Sequence, residues 1–255
     1  MATALITGPT AGIGAAFARL LAKNKFDLIL VARDKKRLDV TAKSLTKEFG
    51  VKVEVISADL TKASQLAKIE KRVASKNKPI EVLINNAGFG LNKSFLTSEV
   101  EREQELLDVL VTAPMRLTHA VLPIMKERNI GTVINVSSVA GWIAGGTYSA
   151  AKSYLTVLTE SLHTELRGSN IKISVLCPGF TKTEFHQRAR IKMGGLPEFM
   201  WLSAEKVVAK SWSDTLSGKA VSVPGWQFLI LSMISRFGPR PFVRRVGMSM
   251  RKKQR

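Results

Sequence analysis

The sequence predicts an α/β protein in which a doubly wound, parallel sheet of about seven strands forms a single domain. Short aliphatic or β-branched runs alternate with longer segments whose apolar residues recur at helical spacing. The runs are apolar almost throughout, as in strands that helices cover on both faces. The 255 residues are 45% hydrophobic and contain no repeat or low-complexity linker that would divide the chain.

The expected strands follow one another along the chain, separated by helical patterns. The strands are expected at 4–7, 27–32, 51–57, 82–85, 132–137, 171–177 and 220–223. The main helical patterns lie at 12–25, 35–49, 64–76, 99–127 and 148–167. Right-handed crossovers through such helices make a sheet parallel and place helices on both of its faces.

Two segments interrupt this alternation after late strands. Residues 179–203 are rich in Gly, Phe and Met, and we expect a substrate loop there, because ligands of such sheets bind beyond the carboxyl ends of the strands. We expect residues 224–255 to form a basic, amphipathic extension of the main domain, 1–223.

Composition favours a soluble or membrane-peripheral protein of the cytoplasm. The single cysteine, Cys177, excludes an internal disulfide framework and fits a reducing compartment. The first residues lack the pattern of a secretory signal, and no run approaches the roughly 20 apolar residues of a spanning helix.

The net charge of +19 keeps an anionic ligand, a lipid surface and a nucleic acid open as partners. Residues 215–255 contain no Asp or Glu. Their nine basic residues are Lys219, Arg236, Arg240, Arg244, Arg245, Arg251, Lys252, Lys253 and Arg255.

A glycine-rich turn, "TGPTAGIG", directly follows the first expected strand and begins a helix. Gly8 permits the tight turn, Gly12 lets a pyrophosphate approach the backbone, and Gly14 lets the helix pack closely on the strand. The helix N-terminus then offers free N–H groups to an anion. This context favours a dinucleotide-binding, Rossmann-type turn over an ordinary glycine turn.

The end of the second strand bears on which dinucleotide binds. In "LVARDKKRL", Arg33 comes first and suits the 2′-phosphate of NADP, whereas an acid would suit the 2′-hydroxyl of NAD. Asp34 is as well explained as the N-cap of the next helix. NADP(H) is therefore expected in preference to NAD(H), with a solvated Arg33 as the alternative.

With these residues in place, the chain resembles the short-chain dehydrogenase/reductase family from about residue 2 to about residue 185. Six motifs occur in the family's order, which makes the resemblance specific. They are the glycine turn, Asp59 of "ADL", "NNAG" at 85–88, the serine of "NVSS", Tyr148-x-x-x-Lys152, and Pro178-Gly179-x-x-x-Thr183.

The resemblance implies a catalytic set and a set of cofactor contacts. The catalytic set is Ser138, Tyr148 and Lys152. The expected cofactor contacts are Gly8, Thr10, Ala11, Gly12, Ile13, Gly14, Arg33, Asp59, Leu60, Asn85, Asn86, Ala87, Gly88, Tyr148, Lys152, Pro178, Gly179 and Thr183.

Tyr148 and Lys152 suit the implied chemistry, because hydride transfer to a carbonyl leaves an alkoxide that needs a proton. A free tyrosine has a pKa of about 10, some three units above neutrality. Residues four apart on a helix are neighbours, so we expect the Lys152 ammonium to lower the pKa of Tyr148 in a sheltered cleft. Ser138 is expected to orient the carbonyl.

Two positions depart from the family pattern. The segment between the serine and Tyr148 is short, which leaves Ser137 and Ser138 both open, with Ser138 preferred. Leu110 stands where the family often has an asparagine that completes a proton relay, so protons would need another route to Lys152.

The expected function is NADP(H)-dependent hydride transfer between the nicotinamide and a carbonyl or secondary alcohol. The aromatic residues near the expected cleft favour a lipophilic substrate, such as a 3-oxoacyl compound, a steroid-like molecule or another ketone. The alternatives are a catalytically impaired homologue that acts as a cofactor-binding scaffold or sensor, and a nucleic-acid-associated protein, for which no reading motif is found. A homodimer or homotetramer is expected.

The remaining candidate residues are interpreted as structural rather than functional. Tyr154 is interpreted as packing, Cys177 as a buried small side chain, and the scattered His119, His163 and His186 as structural or surface residues. Ala151, Leu155, Leu158 and Leu162 are expected on the core face of the helix that carries Tyr148.

An apolar stripe in "WQFLILSMISRF" precedes the basic cluster. It is formed by Trp226, Leu229, Ile230, Met233, Ile234 and Phe237. It predicts a helix that packs on the substrate loop, makes an oligomer contact, or lies in an anionic membrane interface within 226–255.

Overall fold

The expected sheet is present, and each strand lies within two residues of the run that predicted it. The computed structural model describes residues 2–189 and 197–254. The strands of the main sheet are β1 (Thr3–Thr7), β2 (Asp27–Ala32), β3 (Val53–Ser57), β4 (Val82–Asn85), β5 (Gly131–Val136), β6 (Ile171–Leu176) and β9 (Val221–Ser222). A separate pair is formed by β7 (Thr181–Lys182) and β8 (Leu202–Ser203).

The helices also follow the predicted order. They are α1 (Gly12–Lys23), α2 (Lys35–Phe49), α3 (Ala63–Val73), α4 (Val100–Leu107), α5 (Ala113–Arg128), α6 (Thr147–Glu165), α7 (Phe185–Arg188), α8 (Ala204–Leu216), α9 (Trp226–Phe237) and α10 (Arg240–Gln254). The single helix expected at 99–127 contains a π-helical turn, Asp108–Thr112, between α4 and α5. Periodicity alone does not reveal this extra residue per turn.

The main sheet has the strand order β3-β2-β1-β4-β5-β6-β9, and all of its pairs are parallel. The chain moves outward from β1 to β3 and then returns to β4 on the other side of β1. The carboxyl ends of β1 and β4 therefore lie side by side at the point where the order reverses. Ligands of this fold bind in the crevice at that point.

Helices cover both faces of the sheet, which confirms the doubly wound, single-domain prediction. On one face, Phe17 and Leu21 of α1 pack against β1 and β2. On the other face, Ile69 of α3 and Leu117 and Val121 of α5 pack against the same strands. Because both faces of the strands are buried, apolar residues occupy successive positions instead of alternating with polar ones.

The substrate loop expected at 179–203 is only partly described. It begins with β7 and α7 and ends with a short turn, Glu198–Met200, and β8. Residues 190–196 lie outside the described residues. The division into 1–223 and 224–255 stays a prediction.

Among the described helices, the continuous helical stretch Val100–Arg128 is the one long and apolar enough to cross a membrane by length and composition. Its Leu117, Val121 and Met125 are fully buried against the sheet. A core helix passes the same test, and the packing of α5 is that of a core helix.

Candidate active site

The glycine turn packs tightly against its neighbours at the N-terminus of α1, where only glycine fits. Gly8 and Gly12 both have positive φ, +68° and +54°, which disfavours a side chain at either position. A Cβ on Gly14 would overlap the carbonyl oxygen of Gly8. Ala11 lies between Thr10 and Ile13 and is the N-cap of α1. No side chain of the described residues caps the first turn of the helix there. The residues present thus fit a dinucleotide pyrophosphate.

The "NNAG" segment is held against this turn by hydrogen bonds. The Asn86 amide donates to the carbonyl oxygens of Thr7 and Gly8 at 2.9 and 3.0 Å. The backbone N–H groups of Asn86 and Ala87 both donate to the Thr7 hydroxyl at 3.0 Å. These contacts fix the ends of β1 and β4 to each other.

Asn85 is buried and takes part in a chain of amides between strands and helices. Its Nδ2 donates to Asn135 Oδ1 at 2.8 Å and to Thr118 Oγ1 at 3.0 Å, and Asn135 Nδ2 donates to Thr159 Oγ1 at 2.9 Å. Asn85 Oδ1 is buried and receives no hydrogen bond within the described part of the chain. A buried acceptor without a donor costs free energy, so Asn85 Oδ1 is a candidate partner for a ligand or a water.

After β2, Asp34 takes the N-cap position that the sequence left open, and the cofactor contact of Arg33 stays a prediction. Asp34 is the N-cap of α2, since its Oδ1 accepts from the Arg37 N–H at 3.0 Å. Arg33 is exposed beside it. Sequence reasoning missed Arg37, whose guanidinium donates to the Thr10 carbonyl oxygen at 2.9 Å and to the Glu184 carboxylate at 3.1 and 3.2 Å.

This ion pair joins α2 to the segment after β7, across the glycine turn. The hydrogen bond to Glu184 raises the pKa of Arg37, and the same bond is the main cause that lowers the pKa of Glu184. The signal in the sequence was the position of Arg37 in the first turn of α2, four residues after Arg33. Its partner could not be found by spacing, because 147 residues separate the two side chains.

Asp59 and Leu60 follow β3, where the resemblance expects the adenine. Asp59 Oδ1 accepts from the N–H and the hydroxyl of Thr61 at 3.0 and 2.9 Å. Leu60 is buried in the adjoining core. Their contacts with a cofactor stay predictions.

Pro178, Gly179 and Thr183 close the other side of the crevice. The Pro178 carbonyl oxygen accepts from the Val139 N–H at 3.1 Å. A Cβ on Gly179 would overlap the Phe228 ring, and a Cβ on Gly12 would come within 2.8 Å of Thr183 Cγ2. The Thr183 side chain thus lies directly over the glycine turn.

Tyr148 and Lys152 lie one turn apart at the start of α6. Tyr148 is partly buried, and Lys152 is 4% exposed. Lys152 Nζ lies 5.6 Å from the centre of the Tyr148 ring and donates to the Val136 carbonyl oxygen at 2.7 Å. The ammonium is therefore near the phenol ring, and it is hydrogen-bonded to the end of β5.

The structure places Ser138 rather than Ser137 against the phenol. Ser138 hydrogen-bonds to Tyr148 and also accepts from the Ala140 N–H at 3.1 Å, capping the turn Val139–Trp142. Ser137 is buried against the backbone of α6, where its hydroxyl donates to the Lys152 carbonyl oxygen at 2.7 Å. The two serines that the sequence left open thus have different surroundings.

Burial dominates the acid–base properties of this pair. It raises the pKa of Tyr148 to about 12, against a smaller opposite effect of the hydrogen bond with Ser138. It lowers the pKa of Lys152 to about 8. The expected lowering of the Tyr148 pKa by Lys152 does not appear in the protein by itself, because burial is the largest influence on the phenol and the opposing contact is Ser138.

Leu110 lies at the π-helical turn and faces the same pair from the other side of the crevice. It is buried with Leu106 and Ala151, and its Cδ2 would be 2.9 Å from a Cβ on Gly88. A small cavity next to it is lined by Asn85, Leu110 and Lys152, among other residues.

The buried face of α6 differs from the predicted stripe. Ala151 and Leu155 are buried as expected, but Leu158 and Leu162 are only half-buried. The other residues of the buried face are Ser149, Lys152, Thr156 and Thr159. The threonines of this face are hydrogen-bonded to the end of β5, Thr159 to the Asn135 amide and Thr156 to the Ser137 hydroxyl.

Other interpretations have mixed outcomes. Cys177 is buried and free, as predicted. Tyr154 is 42% exposed, so its interpretation as packing is wrong for the isolated chain. His163 Nδ1 is 3.0 Å from the Ile173 carbonyl oxygen, and the described residues contain no cluster that could hold a metal ion. The His186 side chain lies outside what the structure describes.

Aromatic rings of the segment after β6 contact Tyr148 and one another. The Phe185 ring lies 5.9 Å from that of Tyr148, and the Phe180 ring lies 6.0 Å from Trp201 and 5.9 Å from Phe228. The phenol of Tyr148 thus has an apolar neighbour in Phe185.

Comparison with known proteins gives a consistent result. The family profile described as short chain dehydrogenase matches residues 2–194. A ketoacyl reductase, HetN, from Nostoc is 33% identical over 225 residues, which are 87% of this chain and 77% of that protein. A short-chain dehydrogenase from Sphingobium yanoikuyae in complex with NADPH is 34% identical, with a TM-score of 0.83 over 91% of this chain and 93% of that one.

A third similar structure is a short chain dehydrogenase/reductase from Burkholderia phymatum in complex with NAD. It is 24% identical, with a TM-score of 0.80 over 91% of this chain and 92% of that one. At this identity the likeness concerns the fold alone.

Proposed function

The chain belongs to the short-chain dehydrogenase family, and from that premise we propose that it transfers a hydride between NADP(H) and a carbonyl or secondary alcohol. The observation that carries the proposal is the position of Tyr148, hydrogen-bonded to Ser138 and next to Lys152, at the carboxyl ends of the strands where the glycine turn also lies. As a member of this family, the chain is an oxidoreductase.

The nicotinamide cofactor would supply the hydride, and the residues that would hold it lie along the carboxyl ends of the strands. The first turn of α1 would bind the pyrophosphate, with Thr183 over it. NADP is proposed over NAD because Arg33, exposed directly after β2, is a cation where an acid would suit the 2′-hydroxyl of NAD. Arg37, which donates to the Thr10 carbonyl oxygen, is a second cation beside the turn, although Glu184 already pairs with it. The NADPH-bound relative supports this preference.

Tyr148 is proposed as the acid that protonates the developing alkoxide. A phenol whose pKa is about 12 is fully protonated at neutral pH, and it is still a far stronger acid than an alcohol. It is a poor base at the same pH. The protonated phenol is the form that carbonyl reduction requires, and the net direction is set by the ratio of NADPH to NADP. Ser138 would orient the substrate oxygen towards the phenol.

Lys152 is proposed to hold a positive charge beside the phenol and to pass protons to it. Since its pKa is lowered to about 8, it remains charged below that pH and releases a proton more readily than an exposed lysine. Leu110 offers no polar side chain to supply that proton. We place the supply in the adjoining cavity, where one water could bridge Lys152 Nζ and the unpaired Asn85 Oδ1.

The cavity proposal is tested by filling the cavity. Leu110→Phe, with a larger side chain, should lower the turnover number at least tenfold while NADPH still binds, because water is excluded from Lys152. Leu110→Asn should retain or raise turnover. Unchanged turnover in a folded Leu110→Phe protein would contradict the proposal.

We propose a lipophilic substrate, such as a 3-oxoacyl compound or another ketone with an apolar body. The rings of Phe180, Phe185 and Trp201 near the opening support this, as does the similarity to a ketoacyl reductase. The family generally acts on small molecules and forms oligomers, and we propose a homodimer or homotetramer in the cytoplasm. Nucleic acid is not proposed as a partner.

The function is tested by following the loss of NADPH with a graded panel of ketones, aldehydes and 3-oxoacyl thioesters. The two tyrosines of the chain provide a matched pair. Tyr148→Phe should reduce turnover by about 10²–10⁴-fold, as expected for loss of a general acid, while NADPH still binds. Tyr154→Phe should keep full activity, because Tyr154 lies on the surface of α6.

Two results would contradict the assignment. If Tyr148→Phe retained most of its rate, the acid would be elsewhere. If the wild-type protein bound NADPH and reduced no member of the panel, the alternative of an impaired, cofactor-binding scaffold would replace the proposal. The named relatives above are reductases or dehydrogenases and do not favour that alternative.

A further inference from the structure

The apolar stripe of α9 faces outwards rather than towards the core. The six residues that predicted an amphipathic helix are each between 48% and 79% exposed. They are Trp226, Leu229, Ile230, Met233, Ile234 and Phe237. The buried positions of the same helix are Gln227, Phe228 and Ser232. Exposed apolar residues are common singly, but a continuous stripe of this size marks an interaction surface.

The following helix, α10, extends this surface and adds cations to it. Phe242 and Met248 are exposed on α10, as are Arg240, Arg244 and Arg245. The helix is attached to the body by Val243, which is buried, and by the close approach of Gly247 to the backbone of Ala144. The sequence from 215 to 255 has no acid that could neutralise these arginines.

This surface borders the opening of the crevice. The Gln227 amide donates to the Phe199 carbonyl oxygen at 3.0 Å, and the Phe228 ring packs on Gly179. The Arg236 guanidinium lies 5.4 Å from the centre of the Trp142 ring, next to the turn that Ser138 caps. The helix therefore contacts both segments between which a substrate would approach Tyr148.

A second copy of the chain is a poor occupant of this surface. In a two-fold contact the same patch meets itself, so the arginines of both copies would approach each other with no acid in the segment to pair them. An anionic bilayer fits better, because it offers acyl chains to the apolar stripe and negative headgroups to the arginines.

We propose that the exposed stripe of α9 and the arginines of α10 dock this protein on an anionic membrane surface, with the crevice opening next to the lipids. Resting on the proposed function, docking would let a lipophilic carbonyl compound reach Tyr148 from the bilayer without crossing water. The docking itself does not depend on that function.

The test is sedimentation with phosphatidylcholine vesicles, with and without phosphatidylglycerol, at low and high salt. The full chain should bind only the anionic vesicles, and less at high salt. Arg240→Gln/Arg244→Gln/Arg245→Gln should weaken binding about 100-fold, at roughly 1 kcal/mol per cation near the surface. Leu229→Ser/Ile230→Ser/Met233→Ser should weaken it at least tenfold.

Two matched variants control for charge and for exposed apolar area elsewhere. Lys43→Gln/Lys47→Gln/Lys71→Gln removes three exposed cations from α2 and α3, and Val40→Ser/Leu96→Ser removes two exposed apolar side chains from other surfaces. Both should bind vesicles like the wild type. Circular dichroism and NADPH binding show that every variant is folded.

Three outcomes would overturn the proposal. They are no binding of the full chain to anionic vesicles, equal loss of binding in the control and the test variants, and dissociation of an oligomer by the α9 variant without any effect on vesicles. The last outcome would assign the stripe to a second copy. Turnover of a water-soluble ketone, measured without vesicles, reports on the proposed function independently.

Discussion

Helices α1 and α9 have the same length and similar periodicity, yet they are placed in opposite ways. Both have twelve residues and an apolar stripe at helical spacing. In α1 the stripe faces the sheet, and Phe17 is 0% exposed. In α9 the stripe faces outwards, and Phe237 is 79% exposed. An amphipathic pattern thus indicates a helix but does not say which side meets the protein.

The two helices are also attached by different forces. The small and apolar residues of α1 lie against β1 and β2 and exclude water over a wide area. By contrast, α9 is attached by one buried ring, Phe228, by polar contacts of Gln227, and by Arg236. The comparison predicts that stability is concentrated in α1, whereas α9 contributes mainly a surface.

The largest expected effect is a difference between two phenylalanines. Phe17→Ala should lower the free energy of unfolding by about 3–5 kcal/mol, because it leaves a cavity in a fully buried layer. Phe237→Ala should change it by less than about 0.5 kcal/mol. Urea denaturation of both variants measures this directly. Similar losses in the two variants would show that α9 is buried in solution.

An intermediate effect concerns Lys152. It is a buried cation, whereas the α9 stripe is an exposed apolar surface, and both are against the usual preference of their residue types. The pKa of Lys152 is lowered from 10.5 to about 8 in the folded protein. Between these values the unfolded chain holds a proton that the folded chain has lost, so the wild type gains stability as the pH rises. The advantage of Lys152→Met over the wild type should therefore shrink by up to about 3 kcal/mol from pH 7 to above pH 10.

Denaturation of both proteins at several pH values checks this prediction. The comparison uses the pH dependence rather than the absolute difference, because Lys152→Met also removes the hydrogen bond to the Val136 carbonyl oxygen. A difference that stays constant with pH would mean that Lys152 keeps its ordinary pKa.

The smallest expected effect concerns the attachment of α9. Arg236 pairs with Glu160 of α6 at 3.5 Å and also lies over the Trp142 ring. Arg236→Gln should cost about 0.5–1 kcal/mol, because both contacts are partly exposed. Glu160→Gln removes only the ion pair and should cost less. Thermal melts at low and high salt separate the two contacts, since salt weakens the ion pair more.

The sequence predicted the order and kind of the elements well because a buried parallel strand needs an apolar run, and such runs are visible in one dimension. The ends of β2 and β4 were found to the residue. The π-helical turn at Leu110 was not predicted, because one extra residue in a helix leaves the apolar spacing almost unchanged. The ion pair of Arg37 with Glu184 was missed because nothing local marks two residues so far apart in the chain.

The sequence by itself determined the family, the parallel sheet and the residues proposed for the site, because their spacing along the chain identifies them. Only the tertiary structure decided that Tyr148 becomes a weaker acid and Lys152 a weaker base, since their pKa values depend on the solvent that the folded chain excludes. It also decided that the α9 stripe faces outwards, because periodicity fixes the angle between residues on a helix and not the side on which the rest of the protein lies.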